Sequence, residues 1–144
     1  MTQENRELLL KDLCVRLPYG VKVNNEIQGD FVIYGVCENY VFARTINNHA
    51  DFHIENIKPY LFPLSSMTEE QEKEIQEIVG NPNNACIIRK TDGLELWLDY
   101  IDTDPTICLD TIFEVQDYLN KNNFDYRGLI EKGLAIDATG LNIY

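Results

Sequence analysis

The spacing of apolar residues changes along this chain, and this change limits the fold more than any other feature of the sequence. Four leucines between residues 8 and 13 recur with a helical period among charged residues. They predict a short amphipathic helix that ends before Pro18, because the residue before a proline is disfavoured in a helix. From Gly20 the pattern changes to that of strands: residues 20–23 alternate between apolar and polar, and β-rich runs follow up to Ala43. The chain is therefore predicted to have an α+β fold.

Three strand-like runs follow the first helix and are separated by turn signals: Gly20–Val23, Phe31–Tyr34 and Tyr40–Ala43. Together they predict a small curled antiparallel sheet, of which an SH3-like sheet is one form. Pro59 and Pro63 then bracket residues 60–62. Because proline disrupts helices and the middle of sheets, this stretch is predicted to be an extended, packed connector that cannot lie in the middle of a sheet or helix.

The second half of the chain has the signals of helices around a hairpin. Thr68 and Gln71 form a capping box, which predicts a helix to about Val79. Asp92-Gly93 lies between two apolar runs, which predicts a β-hairpin. Two C-terminal helices are predicted to follow: one capped by Asp110 or Thr111 that ends near Asn120, and a short one capped by Asp125 that ends at Gly133.

A chain of 144 residues is predicted to form one α+β domain over residues 1–144. If the domain has two lobes, residues 1–66 are expected to form the sheet lobe and residues 67–144 an acidic lobe of helices and hairpin. The division follows the charge, because residues 68–144 carry 16 acidic and only 6 basic side chains.

The whole chain has 24 acidic and 12 basic residues and a net charge of -12. Direct binding of nucleic acid is therefore not expected, since that requires clustered Lys and Arg. The N-terminus lacks the apolar core of a signal peptide, and no apolar run reaches the roughly 18 residues of a membrane span. We expect a cytoplasmic protein that does not enter a membrane.

The four cysteines lie far apart among apolar neighbours and form no C-x-x-C pair: Cys14, Cys37, Cys86 and Cys108. This pattern favours buried, reduced thiols over a catalytic or metal-binding role.

The acidic residues are concentrated between positions 92 and 117, where eight carboxylates occur without any Lys or Arg. The simplest interpretation is a solvated rim that keeps the protein soluble. The alternatives are a binding surface or a site for a hard cation such as calcium, although the 12-residue calcium loop is missing. The candidate contact residues of a binding surface are Asp99, Asp102, Asp104, Asp110 and Asp117.

Two further groups of residues have a functional and a structural interpretation. His49 and His53 have the spacing of zinc ligands on a helix, but the flanking sequence favours an exposed loop or a strand, which would place them too far apart. Tyr126 and Arg127 are residue types enriched at interfaces, so they are candidates for partner binding. The structural alternative is that Phe124 and Leu129 hold the last helix against the preceding one, with Arg127 paired to a nearby carboxylate.

Three phrases connect the chain to a known group of proteins: LPYGVKV at residues 17–23, IKPYLFPLSSMTEE at 57–70 and NFDYRGLIEKGLA at 123–135. In these phrases the chain resembles a group of short uncharacterised proteins encoded in gut bacteria and in their phages or mobile elements. The resemblance implies this genetic context, and it implies no activity, cofactor or site.

The sequence contains no nucleotide-binding, hydrolase or metalloprotease motif, so it indicates neither an enzyme nor a cofactor or metal. The leading hypothesis is an accessory protein that binds another protein through its acidic surface. A basic, nucleic-acid-binding protein is the expected type of partner, because clustered carboxylates resemble a row of phosphates. The alternative is a carboxylate-dependent cation-binding module or enzyme.

Overall fold

A computed structural model of the chain describes residues 1–80, 85–90, 93–98 and 105–144, with side chains described for residues 1–80 and 111–144. The fold is α+β, as predicted, with an N-terminal helix, a mixed sheet and later helices. The chain divides into two compact units. Unit 1 comprises Met1–Phe62 and Arg127–Tyr144, and unit 2 comprises Pro63–Tyr126. The two-lobe prediction grouped residues 127–144 with the acidic half, whereas this division groups them with the sheet.

The elements follow one another in the order α1 (Gln3–Arg16), β1 (Lys22–Asn25), β2 (Gly29–Cys37), β3 (Tyr40–Arg44), β4 (His49–His53), β5 (Lys58–Pro63), α2 (Glu69–Val79), β6 (Ala85–Lys90), β7 (Gly93–Leu98), α3 (Pro105–Lys121), β8 (Phe124–Asp125) and β9 (Ile136–Asp137).

The first helix forms where the leucine pattern predicts it, and it ends at Arg16, before Pro18. Thr2 caps α1 by accepting a hydrogen bond from the Asn5 amide at 3.2 Å. The buried positions are 9, 12, 13 and 16, which is the spacing of one helix face. Two of these four positions are charged residues, so α1 brings an ion pair as well as leucines into the core.

The sheet of unit 1 is a meander of four antiparallel strands, extended at one edge by β5. Its strand order is β4-β3-β2-β1-β5, and β9 pairs with β5 in parallel. The three predicted strands are confirmed as β1, β2 and β3, within one to three residues at their ends. The sheet also includes β4, where the sequence favoured a loop around His49. The cross-strand pairs Val41 with Phe52 and Ala43 with Ala50 explain the strand, because they place its apolar residues on the inner face.

The prediction that the stretch bracketed by Pro59 and Pro63 cannot lie in the middle of a sheet is wrong, because β5 has paired neighbours. Pro59 pairs with Val23 of β1, and Tyr60 and Leu61 pair with β9. The prolines are tolerated because Pro59 and Pro63 lie near the two ends of β5 and leave the amides between them intact. Leu61 is completely buried, and its carbonyl accepts a hydrogen bond from the Ala138 amide at 2.8 Å.

Unit 1 has a continuous apolar core between α1, the inner face of the sheet and the C-terminal segment. The core includes Leu9 and Leu13 of α1 and Leu129 of the C-terminal segment, none of which is exposed. Phe31 and Phe52 meet edge to face in this core, with ring centroids 4.9 Å apart.

Unit 2 contains the predicted helix and hairpin. The capping box of α2 is present, since the Thr68 side chain accepts from the Gln71 amide and the Gln71 side chain accepts from the Thr68 amide. Strands β6 and β7 are antiparallel, as predicted, and their last pair is Lys90 with Gly93, so Gly93 belongs to β7 and not to the turn.

The predicted start of the next helix is wrong, because α3 begins at Pro105 and not at Asp110 or Thr111. Proline suits the first turn of a helix, where the missing amide has no partner to lose. The predicted end of this helix near Asn120 is confirmed. Helix α3 ends at Lys121, and Asn123 adopts a left-handed φ of 57°.

The predicted last helix, capped by Asp125, does not form. Gly128 has a φ of 71°, which interrupts a right-handed helix at its first turn. The segment instead makes successive turns, in which the Leu134 amide bonds to the Leu129 carbonyl and the Gly133 amide bonds to the Ile130 carbonyl. Gly133 does adopt the predicted left-handed conformation, with a φ of 67°. Within residues 105–144, which the structure describes, α3 is the single helix, and the turns bury Leu129 without a second one.

The prediction of buried thiols is wrong for Cys14 and Cys37, which are free and exposed. Cys14 lies outside the buried stripe of α1, and Cys37 is the last residue of β2, beyond the irregularity between Ile33 and Gly35. The side chains of Cys86 and Cys108 lie outside the described residues.

Candidate functional site

The predicted acidic contact residues are described only in part. Asp99, Asp102 and Asp104 lie outside the described residues. Asp110 belongs to α3, although its side chain is not among those described. Asp117 is exposed on the same helix. Whether the five carboxylates share one face thus stays a prediction.

A second acidic element adjoins the predicted one in unit 2. Helices α2 and α3 pack against each other. Their exposed carboxylates are Glu69, Glu70, Glu74, Glu77, Glu114 and Asp117, which we call the acidic helix pair. The glutamates of α2 are not among the contact residues predicted from the sequence. Their run between residues 69 and 77 is visible in the sequence, but their proximity to α3 depends on the packing.

One hydrogen bond links the two helices within this acidic surface. The Tyr118 hydroxyl of α3 donates to Glu74 Oε2 of α2 at 2.5 Å. Burial, the bond to Glu74 and the nearby charge of Glu70 raise the pKa of Tyr118 above its ordinary value. Glu74 and Glu70 thus act on the pKa of Tyr118 in the same direction as burial.

Tyr126 and Arg127 are both half-buried, and both have partners within the protein. The Tyr126 hydroxyl accepts from Gln116 Nε2 at 3.1 Å and donates to Asn120 Oδ1 at 3.0 Å. Both partners belong to α3, so Tyr126 fixes the chain where it leaves that helix. Arg127 Nε lies 3.4 Å from Asp12 Oδ1. Arg127 thus pairs with a carboxylate, as the structural interpretation predicts, whereas the last helix of that interpretation does not form.

The histidines of β4 lie on the outer face of the sheet and are not brought together. His53 meets the ring of Tyr40 at 5.6 Å, whereas His49 meets the ring of Tyr34 at 5.7 Å. Among the described residues, no group of three or more His, Cys, Asp or Glu side chains could hold a metal ion. Glu55, two residues after His53, forms an ion pair with Arg6 at 2.7 Å.

A cleft on unit 1 is the candidate site that the sequence did not reveal. It encloses about 700 Å³ on the outer face of the sheet. Its lining includes Lys22 of β1, Arg44 of β3 and His49 of β4, with Ile46 and Ile143 at its sides. No motif marks these residues, because they come from separate strands and from the end of the chain.

Comparisons of the chain with protein-family models, curated proteins and solved structures find no match. Within the described part of the chain, no helix has both the length and the apolar character needed to cross a membrane.

Proposed function

We propose that the protein is an acidic accessory protein of the phage or mobile-element type that acts by binding another protein. The contact surface is the acidic surface of unit 2. The supporting observation is the packing of α2 against α3, which places six exposed carboxylates on two neighbouring helices. Unit 2 as a whole carries 14 acidic and 4 basic residues, whereas unit 1 carries 10 and 8.

The expected partner is a basic protein that binds nucleic acid. A concentrated negative surface steers a positive partner toward it and competes with nucleic acid for the same basic residues. The raised pKa of Tyr118, beside Glu74 and Glu70, supports such a surface because an added negative charge is disfavoured there. The protein itself is proposed to bind neither nucleic acid nor membranes, and to act in the cytoplasm without a catalytic site.

The sheet of unit 1 is proposed to be SH3-like. Four consecutive strands form a meander, and β5 returns beside β1 after a 3₁₀ turn at Ile54–Asn56. In this proposal unit 1 is the framework from which unit 2 is presented, since unit 2 is inserted between Phe62 and Arg127.

Charge removal tests the acidic surface. We would replace Glu70, Glu77 and Glu114 with Gln together and leave Glu74, which bonds to Tyr118. The matched control is the triple Gln variant of Glu26, Glu38 and Glu131, three exposed glutamates of unit 1. Both variants lose the same formal charge, so only a local surface can distinguish them.

The measurement is capture of proteins from a bacterial lysate at low salt, followed by competition with duplex DNA. The wild type and the control are expected to retain a basic partner that DNA displaces, and the unit 2 variant is expected to lose it. Equal capture by all three proteins, or a partner that DNA does not displace, would remove the support for an acidic contact surface.

The alternative function is a carboxylate-dependent cation-binding module or enzyme that uses residues between Asp99 and Asp117. It predicts that calcium or magnesium raises the melting temperature, because a ligand that binds only the folded state stabilises it. The effect should then disappear when Asp99, Asp102 and Asp104 are replaced with Asn. The protein-binding proposal predicts no such rise.

A further inference from the structure

The cleft of unit 1 contains a row of basic groups that the strand register aligns. His49 pairs with Arg44, Arg44 pairs with Val32, and Val32 pairs with Lys22. These four residues therefore lie side by side across β4, β3, β2 and β1. Adjacent strands are about 4.8 Å apart, so the row spans roughly 14 Å of backbone. All four residues line the same cleft.

Aromatic rings hold the basic groups at both ends of the row. The Arg44 guanidinium lies 5.8 Å from the centre of the Tyr34 ring, and the His49 ring meets the same tyrosine edge to face. The Lys22 ammonium lies 5.6 Å from the centre of the Tyr144 ring and donates to the Ile143 carbonyl. Such contacts restrict long side chains before a ligand arrives, which lowers the entropy lost on binding.

Asp30 is the single acidic residue among the described residues that line the cleft. Its Oδ1 atom accepts hydrogen bonds from Asn24 Nδ2 at 2.7 Å and from the Tyr60 hydroxyl at 2.8 Å. Through these two hydrogen bonds, the Asp30 carboxylate of β2 links that strand to β1 and β5. The described lining thus contains two cations and a histidine, and its one carboxylate is already hydrogen-bonded. The cleft is therefore basic, although the net charge of the protein is -12.

We propose that this cleft binds the oxyanion group, phosphate or carboxylate, of a small molecule that also has an apolar part. Arg44 can bind two oxygens of such a group with its planar guanidinium, and His49 can donate from its ring. The apolar part would contact Ile46, which is fully exposed in the turn between β3 and β4, and Val32. Because the protein repels anions elsewhere, this row would localise them at one place.

Three probes separate the possible ligand classes: phenyl phosphate, benzoate and inorganic phosphate. Each would be titrated into isotope-labelled full-length protein while the backbone amide signals are followed by NMR. We expect saturable shifts at the amides of residues 22, 44–49 and 142–143. Tighter binding of phenyl phosphate would identify a phosphate ester as the ligand type, and tighter binding of benzoate would identify a carboxylic acid.

Matched variants test the residues. Arg44→Gln should weaken the better probe about tenfold, as expected for the loss of a charged hydrogen bond. Lys132→Gln removes the same charge from an exposed position of unit 1 outside the cleft and should change the affinity less than twofold.

The proposal is overturned if no probe produces saturable shifts, or if Lys132→Gln weakens binding as much as Arg44→Gln. If inorganic phosphate binds as tightly as phenyl phosphate, the phenyl ring adds no affinity, and the proposed apolar contact with Ile46 is wrong. The amide spectrum of each variant also reports whether the fold is intact, so a loss of binding is separated from unfolding.

Discussion

Unit 1 and unit 2 differ in where they place their charges. Unit 1 is nearly balanced, and it buries Asp12 and Arg16 completely in its core. Unit 2 has a large acidic excess, and the described carboxylates of α2 and α3 are mostly exposed. A carboxylate is therefore part of the buried core in unit 1, whereas the exposed carboxylates of unit 2 repel one another. Removing a charge should therefore lower the free energy of unfolding in unit 1, and should leave it unchanged or raise it slightly in unit 2.

The buried ion pair gives the largest expected effect. Arg16 Nε and Nη2 donate to the two oxygens of Asp12 at 2.7 and 3.0 Å, and Arg127 lies beside the same carboxylate. Asp12→Asn should lower the free energy of unfolding by about 3–5 kcal/mol, because Arg16 keeps its buried charge without a carboxylate. Urea unfolding followed by circular dichroism measures the change.

Two controls sharpen this prediction. The double variant Asp12→Leu/Arg16→Met removes both charges and should recover most of the lost stability. Glu77→Gln removes one exposed charge near the C-terminal end of α2, where the helix dipole disfavours it, and should leave stability unchanged or slightly raised. If Glu77→Gln destabilises the protein as much as Asp12→Asn, the contrast between the units is wrong.

The apolar core of unit 1 gives the next largest effect. Leu61 is fully buried in β5, so Leu61→Ala should cost about 2–5 kcal/mol. Ile27→Ala is the control, because Ile27 is 93% exposed in the same unit and its loss should change stability by less than about 0.5 kcal/mol. Circular dichroism reports the whole chain, and fluorescence of the single tryptophan, Trp97, reports unit 2. A cost for Leu61→Ala as small as the control's would mean that β5 contributes little to the core.

The smallest expected effect on stability comes from replacing one tyrosine in each unit, Tyr144 in unit 1 and Tyr118 in unit 2. The Tyr144 hydroxyl accepts from the Lys22 amide and donates to the Tyr60 carbonyl, and burial of this group raises the pKa of Tyr144 to about 12. Tyr144→Phe and Tyr118→Phe should each cost about 0.5–1.5 kcal/mol near neutral pH. Because the folded pKa lies above the unfolded value, this stabilisation is complete below about pH 10 and is lost as the pH rises through the folded pKa.

Salt should separate the two tyrosines. Charges of Glu74 and Glu70 contribute to the raised pKa of Tyr118, and salt screens such exposed charges. Burial is the largest cause of the raised pKa of both tyrosines, but no carboxylate is among the causes for Tyr144. Ultraviolet titration with the two Phe variants should therefore show a salt-dependent pKa for Tyr118 alone. Equal salt dependence for both would contradict the assignment of the negative potential to unit 2.

Some sequence signals that act over a few residues predicted their elements well. The capping box of α2 and the pairing of β6 with β7 depend on local chemistry, and both are present. The predicted helix starts at Asp110 and Asp125 failed, because α3 begins at Pro105 and Gly128 interrupts the last helix. Other predictions failed where a residue's effect depends on distant partners. Pro59 lies in a sheet because β1 and β9 supply neighbours from other parts of the chain. The row of Lys22, Arg44 and His49 is equally non-local, because it depends on strand register and not on a motif.

The return of the chain to unit 1 at Arg127 affects how the protein can form during synthesis. Strand β9 and Leu129 belong to unit 1, but the ribosome makes them only after all of residues 63–126. At about 5–20 residues per second, the incomplete first unit waits several seconds for its last pieces. During that interval the β5 edge that β9 will occupy lacks this strand, while the continuous unit 2 can already fold. Nascent unit 1 is thus the part of the protein most exposed to wrong strand pairing, and a chaperone would be expected to act there first.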